Sequence, residues 1–405
     1  MNRLFIASRL LAPVFLIGIV FLTAHCTRAQ DITPIGSDST FDVATWNIEW
    51  FGSPSSGPSD DDLQFSNVLA LMRQSGIDLW GVQEIADRDV FDVLLDSLGS
   101  NYDGVLATQS GGQRIGFIYD TRVVSLRRTQ HILTDFNSAF AGRPPLLLEA
   151  DVTANGVTRT ITFITVHMKA FSDSESYDKR VDAANSLKNH LDFLRADEAV
   201  VLLGDYNDRL EGSITSGRTS PYMPFVNDGE DYLFPTLTLE QAGEGSFCSN
   251  ASCSVAGSMI DHIMITDELF GTYEIGTSEV YRDAFSAISR FRDTASDHRP
   301  IVASFNFARN VSAENEQPNQ IGLSASIFPN PLRDLATLRV NLDHPTPVQV
   351  EVFDVLGRQI QRLHHMLSAG QHDVRIDGTG WRAGTYWVRL ITPEATQTLP
   401  IKRIR

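Results

Sequence analysis

The chain has 405 residues, 42% of them hydrophobic, and a formal net charge of −17. That length argues for more than one domain, and that apolar content excludes a globally disordered chain. Residues 30–309 hold 20 Lys and Arg against 41 Asp and Glu, while the last 81 residues are net +3. The larger part is therefore not an electrostatic glove for nucleic acid, and affinity for phosphate must come from metal cations and local Arg residues.

Arg3 and Arg9, apolar Leu10–Ala24, and Thr27 and Ala29 just before Gln30 predict a cleaved export signal over 1–29. The alternative is an N-terminal anchor, but the apolar run is shorter than the ~20 residues that span a bilayer. No other stretch is fit to cross, so no stable membrane insertion is expected after processing. Asp31–Thr40 is a polar lead-in. From Phe41 to Phe307 strands and helices alternate, which predicts an α/β domain over 30–308. The expected strands are Phe41–Asn47, Asp78–Glu84, Arg114–Tyr119, Leu146–Thr153, Arg159–His167, Ala199–Gly204, Met259–Ile265 and Pro300–Phe307. The expected helices are Asp60–Gly76, Asp87–Gly99 and Tyr177–Ala196, with Asp60 as an N-cap and Gly76 as a stop. Asn155-Gly156 marks a hairpin turn.

Without the signal, Cys248 and Cys253 are the only cysteines. In an exported chain such neighbours predict a local disulfide, with a pair of free thiols as the alternative. Residues 309–320 are polar and contain Pro, and read as a linker. Beyond it lie short β-rich runs at Ala336–Leu342, Val348–Phe353, His372–Ile376, Thr385–Leu390 and Thr398–Lys402. They predict a small all-β sandwich over 321–405.

Five segments share one design, an apolar strand meeting polar or charged residues at its end. They are TWNIEW (45–50), WGVQE (80–84), TVHMK (165–169), LLGDYND (202–208) and SDHRP (296–300). A carboxylate ending a buried strand is costly unless it meets water, a partner or a metal. Five such endings point to one cleft at a sheet edge.

These motifs resemble the endonuclease/exonuclease/phosphatase superfamily over roughly 41–307. Gly204-Asp205-Tyr206-Asn207 is similar to its G-D-x-N, and Ser296-Asp297-His298-Arg299-Pro300 to its S-D-H-x-P. Gln83-Glu84, Trp46-Asn47 and Ile260-Asp261-His262-Ile263 resemble its remaining strand motifs. The resemblance implies a four-layer α/β sandwich, two packed β-sheets flanked by helices. It implies that Glu84 ligates Mg²⁺ (or Mn²⁺ or Ca²⁺) with Asn47 and Asp297 beside it. Asp205 would orient or deprotonate the attacking water, and Asn207 would hold it. His298 would contact the scissile phosphate, backed by Asp261, and His167 would serve the leaving oxygen. Gln113 falls where deoxyribonuclease-like members carry an acid supporting that second histidine, which leaves His167 between a tuned acid and a phosphate donor. Arg114 and Lys169 are candidate phosphate contacts. Asp208 reads as a turn residue and His262 as a structural histidine.

The C-terminal part resembles another family. Pro329-Asn330-Pro331, Asp354-Val355-Leu356-Gly357-Arg358 and Ala383-Gly384-Thr385-Tyr386 resemble, in order, the motifs of the sorting domain of type IX secretion substrates. This implies recognition by the outer-membrane export machinery and an extracellular or cell-surface destination; a carbohydrate-binding sandwich is the alternative. The combined expectation is a secreted, metal-dependent nuclease hydrolysing DNA or RNA. A phosphatase or phospholipid phosphodiesterase on the same scaffold, and an inactive surface binding protein, are the alternatives.

Overall fold

The computed structural model describes residues 31–108, 112–254, 257–308, 323–342, 344–354, 358–392 and 396–404. The expected signal at 1–29 and linker at 309–320 lie outside the described residues. The first half holds β1 (Phe41–Phe51), α1 (Asp61–Ser75), β2 (Leu79–Ile85), α2 (Arg88–Leu98), β3 (Tyr102–Leu106), β4 (Arg114–Asp120), β5 (Val124–His131), β6 (Leu146–Ala154) and β7 (Val157–His167). Then come α3 (Ser174–Leu194), β8 (Val200–Asp205), α4 (Met223–Val226), β9 (Tyr232–Leu233), α5 (Leu237–Gln241), β10 (Asp261–Thr266), β11 (Glu279–Val280), α6 (Arg282–Ala287), α7 (Phe291–Thr294) and β12 (Ile301–Phe305). Asp60 caps α1 by accepting from Leu63 N, Asp87 caps α2, and Gly76 ends α1 in the left-handed region, as their positions predict.

The strands form two six-stranded sheets, β11-β12-β1-β2-β4-β3 and β5-β6-β7-β8-β10-β9. Both follow one plan. A central parallel pair, β1–β2 or β7–β8, is flanked by antiparallel neighbours. The helices α1 and α3 provide the crossovers that a parallel pair requires.

Alternation along the strands divides their side chains between layers. Phe41, Val43, Leu79 and Phe117 of the first sheet meet Leu148, Phe163, Val201, Leu203 and Ile263 of the second in an inter-sheet core. The intervening residues Ala44, Trp46, Trp80 and Val82 turn outward onto Val68, Leu71 and Met72 of α1 and Phe91 and Leu94 of α2. On the far side Ile164, Val166, Leu202 and Met264 pack on Ala184, Leu187 and Leu191 of α3. The order is helix, sheet, sheet, helix, the four-layer sandwich that the resemblance implied. Gly81 permits the two sheets to approach, since a Cβ there would lie 2.2 Å from Leu203 Cδ1.

The C-terminal part holds β13 (Leu323–Phe328), β14 (Leu335–Leu342), β15 (Thr346–Asp354), β16 (Gln359–Leu367), β17 (Gly370–Asp377), β18 (Gly384–Ile391) and β19 (Thr396–Arg403). They form two antiparallel sheets, β13-β14-β17 and β16-β15-β18-β19, around Leu338, Val340, Val350, Val352, Ile376, Val388 and Ile401. The motif residues stitch this unit together. Asn330 donates to Pro400 O at 3.0 Å and accepts from Lys402 N at 2.8 Å. Asp354 accepts from Arg358 N at 3.0 Å, and Tyr386 donates to Arg382 O at 2.8 Å. Residues 355–357 of the D-x-x-G-R motif lie outside the described residues. Among the described residues no helix is long and apolar enough to cross a membrane.

Candidate active site

The inter-sheet layer changes from apolar to polar at one end. The strand faces that carry Val43, Phe163, Val201 and Ile263 inside the core continue into Thr45 and Asn47, Thr165 and His167, Asp205, and Asp261. Gln83 spans the two sheets at this level, its Nε2 3.2 Å from Thr45 Oγ1 and 3.1 Å from Thr165 Oγ1. It forms a hydrogen-bonded floor between core and cleft.

Above that floor the sheets meet through side chains. Asn47 Nδ2 donates to Glu84 Oε1 at 3.2 Å and to Asp205 Oδ2 at 3.0 Å. Its Oδ1 accepts from Glu49 N at 3.0 Å. His167 Nε2 lies 3.7 Å from both Glu84 Oε1 and Asp205 Oδ2. His298 Nδ1 bonds Asp261 Oδ2 at 2.7 Å, and its Nε2 lies 3.9 Å from Asp205 Oδ2 and from Asp297 Oδ1. Asp205 Oδ1 accepts from Asn207 N at 2.8 Å, and Asn207 Nδ2 donates to Met168 O at 3.2 Å. The structure thus gathers Asn47, Glu84, His167, Asp205, Asn207, Asp261, Asp297 and His298 in one place.

Local backbone makes this convergence possible. Simple alternation would send Glu84 outward with Trp80 and Val82. Instead the ladder shifts register there and Glu84 adopts φ 60°, a bulge that re-aims the carboxylate. Trp50 N donates to its Oε2 at 3.2 Å. Asn207 (φ 51°), Glu49 (φ 38°) and Trp50 (φ 54°) are also left-handed, a strain that non-glycine residues carry mainly at functional sites. Gly204 sits at φ 150°, and a Cβ there would lie 2.1 Å from Val166 O, so the G-D-x-N turn requires glycine. The S-D-H segment is tied to β1. Ser296 Oγ donates to Asn47 O at 2.6 Å, Trp46 Nε1 to His298 O at 2.9 Å, and Asp297 N to Glu49 Oε2 at 3.0 Å.

Charges separate the histidines. Burial alone would lower His298, but Asp261, Asp205 and Asp297 outweigh it and hold its pKa well above the usual imidazole range. Burial, then the cationic surroundings of Arg143, His298 and Lys169, push His167 well below that range. The two imidazoles are thereby driven in opposite directions. Asp205 is pushed up to about 7 by burial and by Asp261, with His298 opposing.

Two sets of side chains in this site could hold a divalent cation. Burial and Asp297 push Glu49 up to about 7, and burial raises Glu84, with Asp297 adding to it. Mutually repelling carboxylates are the hard oxygen donors that such cations take; Asn47, expected beside the cation, turns its Nδ2 rather than its oxygen toward Glu84. Ligand atoms of Asp205, Asp261 and His298 also lie within 4.8 Å of one another. There His298 Nδ1 is already committed to Asp261 Oδ2.

Several residues behave differently from their sequence reading. Gln113 does not support His167. Its Oε1 accepts from Arg143 Nη1 at 3.2 Å, and His167 Nδ1 has no hydrogen-bond partner among the described residues. Arg143, which no pattern in GRPP signalled, also donates to His167 O at 3.2 Å and Met168 O at 3.1 Å. Arg114 donates to Ala86 O at 2.6 Å, and Lys169 Nζ lies 4.4 Å from the Phe171 ring centroid. Asp208 is not merely a turn residue. It is fully buried, accepts from Arg180 Nε at 2.9 Å, and also holds Ser213 Oγ and Ile214 N. Arg180 in turn donates to Lys169 O and Phe171 O. His262 is structural as expected, bonded to Thr236 Oγ1 and Asp208 O, with burial pushing it down to about 4. Glu49, of the TWNIEW segment but outside the motifs of the resemblance, also belongs to the site through Asp297 N. Cys248 and Cys253 are paired as a disulfide, Cα atoms 4.8 Å apart.

A model of the Endonuclease/Exonuclease/phosphatase family matches residues 44–298, and a model of the secretion system C-terminal sorting domain matches residues 326–402. No curated protein matches the chain in sequence. Among solved structures, the endonuclease/exonuclease/phosphatase from Beutenbergia cavernae is 14% identical and aligns over 90% of this chain and 100% of its own, at a TM-score of 0.50. A humanized D. rerio TDP2 is 15% identical and aligns over 66% of this chain and 99% of its own, also at 0.50. At such identities these likenesses show the fold.

Proposed function

That the chain belongs to the endonuclease/exonuclease/phosphatase family is the premise from which we propose its reaction, hydrolysis of phosphodiesters in DNA or RNA by in-line attack of water after export. One observation carries this reading. The His298–Asp261 charge pair, His298 just before β12 of the first sheet and Asp261 on β10 of the second, lies with Asp205, His167 and the Glu84 group in a single polar cleft. Family membership makes the chain a phosphoester hydrolase; the diester and the nucleic acid are the finer reading.

Each residue has work that its surroundings allow. Asp205, poised near neutrality, accepts a proton from water, and Asn207, fixed by Met168 O, orients that water. The His298 imidazolium presents Nε2 to a non-bridging phosphate oxygen, while Asp261 fixes the tautomer at Nδ1. Neutral His167 donates a hydrogen bond toward the leaving oxygen rather than a full proton, since nothing raises its pKa. Glu84, Asp297 and Glu49, with Asn47 holding Glu84 in place, would bind the divalent cation, which offsets the charge that develops on phosphate oxygens. Lys169, two residues beyond His167, with exposed Phe171 beside it offers the aromatic and cationic contacts that single-stranded nucleic acid uses.

The test is the full chain with Mg²⁺ or Mn²⁺, with and without chelator. Substrates are plasmid DNA, RNA, a phospholipid, inositol phosphates and bis(p-nitrophenyl) phosphate. Chelator-sensitive cleavage of a nucleic acid is expected, and turnover of phosphomonoesters alone would replace the reading with a phosphatase. The sorting-domain match supports delivery through the type IX machinery to the cell surface or beyond. Deleting residues 321–405 should trap the protein in the cell envelope, and unchanged secretion would refute that route.

A further inference from the structure

Both members of the His298–Asp261 pair hang on one irregular loop. Residues 245–258, between α5 and β10, include no helix and no regular strand among the described residues. Ser, Gly and Asn dominate them and give little conformational preference of their own. Some of their hydrogen bonds close the loop on itself, and others go to the site. Cys248 N donates to Asp297 O at 2.7 Å, Arg299 N donates to Ser246 O at 2.7 Å, and Phe247 forms an antiparallel bridge with His298. These contacts grip the backbone on either side of the histidine. The Arg299 guanidinium donates to Gly245 O at 3.2 Å and to Cys253 O, spanning the loop. Ser246 Oγ accepts from Ile260 N at 2.9 Å and Asp261 N at 3.0 Å, so the same loop fixes the carboxylate behind the histidine. Cys248 and Cys253 close it, both at 0% exposure in the core that includes Trp46, Phe291 and Ala295.

We propose that the Cys248–Cys253 disulfide positions the active site, holding Asp297 and His298 against Asp261, so that the dithiol chain is folded but turns over poorly. The inference rests on the phosphodiesterase reading. A crosslink over a short ring removes less unfolded-chain entropy than one closing a long loop, and the two large sheets are built from other contacts. Its loss therefore acts locally. Two thiols need more room than a bonded pair, and here that room is taken from the segment that places His298. Reduction by a dithiol is balanced: the reagent gives two electrons and two protons and closes into its own disulfide, while Cys248 and Cys253 become thiols. In a reducing cytoplasm the thiols persist, and in an oxidising exterior the bond forms. The chain would then be silent where the producing cell keeps its own phosphodiesters.

The experiment compares the oxidised full chain with the same chain treated with dithiothreitol, thiols counted, on bis(p-nitrophenyl) phosphate with excess Mg²⁺. Circular dichroism and amide hydrogen exchange are recorded in both states. The expected result is a fall in kcat of about tenfold or more, because sub-ångström placement governs rate. KM should change less, secondary structure should be retained, exchange should quicken at 245–258 and 296–299 only, and reoxidation should restore kcat. The Cys248→Ser/Cys253→Ser double variant should behave as the reduced chain without reductant. A kcat retained within about twofold in the thiol form overturns the proposal, as does unfolding of the whole chain on reduction, which would make the bond merely structural. If the oxidised chain cleaves no ester at all, the phosphodiesterase reading fails, while the exchange pattern still judges the loop.

Discussion

Replacing Asp261 with Asn isolates the charge pair from the shape of the site. Asp261 and His298 are 0% and 6% exposed, and the hydrogen bond between Oδ2 and Nδ1 is 2.7 Å long. Asn keeps the volume and removes the charge. A hydrogen bond to a charged group is worth about 1.5–3 kcal/mol. If it acts fully in the transition state, its loss lowers kcat by about 10- to 150-fold. The pH profile gives a second reading. Burial lowers His298 and three carboxylates raise it; without Asp261 only Asp205 and Asp297 remain, each at 3.9 Å. The alkaline limb of kcat, above the ordinary imidazole value of about 6.5 in the native protein, therefore moves to lower pH in the variant. Stability follows the same sign. The raised pKa contributes stability that is fully present below about pH 6.5 and lost as pH rises through the folded value, so the variant's deficit shrinks toward alkaline pH. Steady-state kinetics from pH 5 to 10 on bis(p-nitrophenyl) phosphate, with thermal melts at each pH, measure both. A variant with native kcat and an unmoved alkaline limb would refute the assignment of His298 as an Asp261-held imidazolium.

Asp208→Ala strips from Arg180 its carboxylate partner in a pair that is 0% exposed on both sides, and should cost about 3–5 kcal/mol in denaturant unfolding; an unmoved midpoint would show that the pair is not needed. His167→Gln keeps a donor and should retain more kcat than His167→Ala, whereas equal losses would show that the imidazole transfers a proton. At the opposite end of the first sheet, burial, then Asp42 and Asp120, push Asp78 up to about 7. The folded chain then binds more protons than the unfolded one between pH 4 and 7, so stability falls as pH rises through that window. Asp78→Asn should flatten that fall in thermal melts, and an unchanged slope would place the dependence elsewhere.

What the sequence disclosed, and what it withheld, have physical reasons. The strands that carry the site residues were legible because both their faces are buried and their apolar runs are nearly continuous. The six strands that escaped the pattern, β3, β5, β9, β11, β13 and β16, are all sheet edges. β5 reads VSLRRTQH with most residues exposed, the charged and unalternating composition by which edges avoid pairing with other chains. Asp261 and His262 are neighbours with opposite fates, and period-2 alternation explains it. Asp261 lies in line with inward Ile263 and Ile265, and His262 with outward Met264. Glu84 breaks that rule, and only its motif revealed it, because a bulge leaves no mark in hydrophobic spacing. Arg143 and the ion pair of Asp208 with Arg180 depend on contacts between distant segments, which one sequence does not encode as a pattern.

The last strand of the larger sheets, β12, lies beside the first, β1, with Phe41 opposite Phe305. Sheet closure thus waits for nearly the whole of that part to be synthesised, and such distant pairing is slow. His298 stands just before β12, so it reaches Asp261 only with that strand. A nascent chain stalled before residue 298, or a product clipped there, keeps Asn47, Glu84, His167 and Asp205 yet lacks the imidazolium and leaves one side of β1 open. Hydrolysis would therefore report that synthesis has passed β12, since chains that stop short of it lack both His298 and one flank of β1.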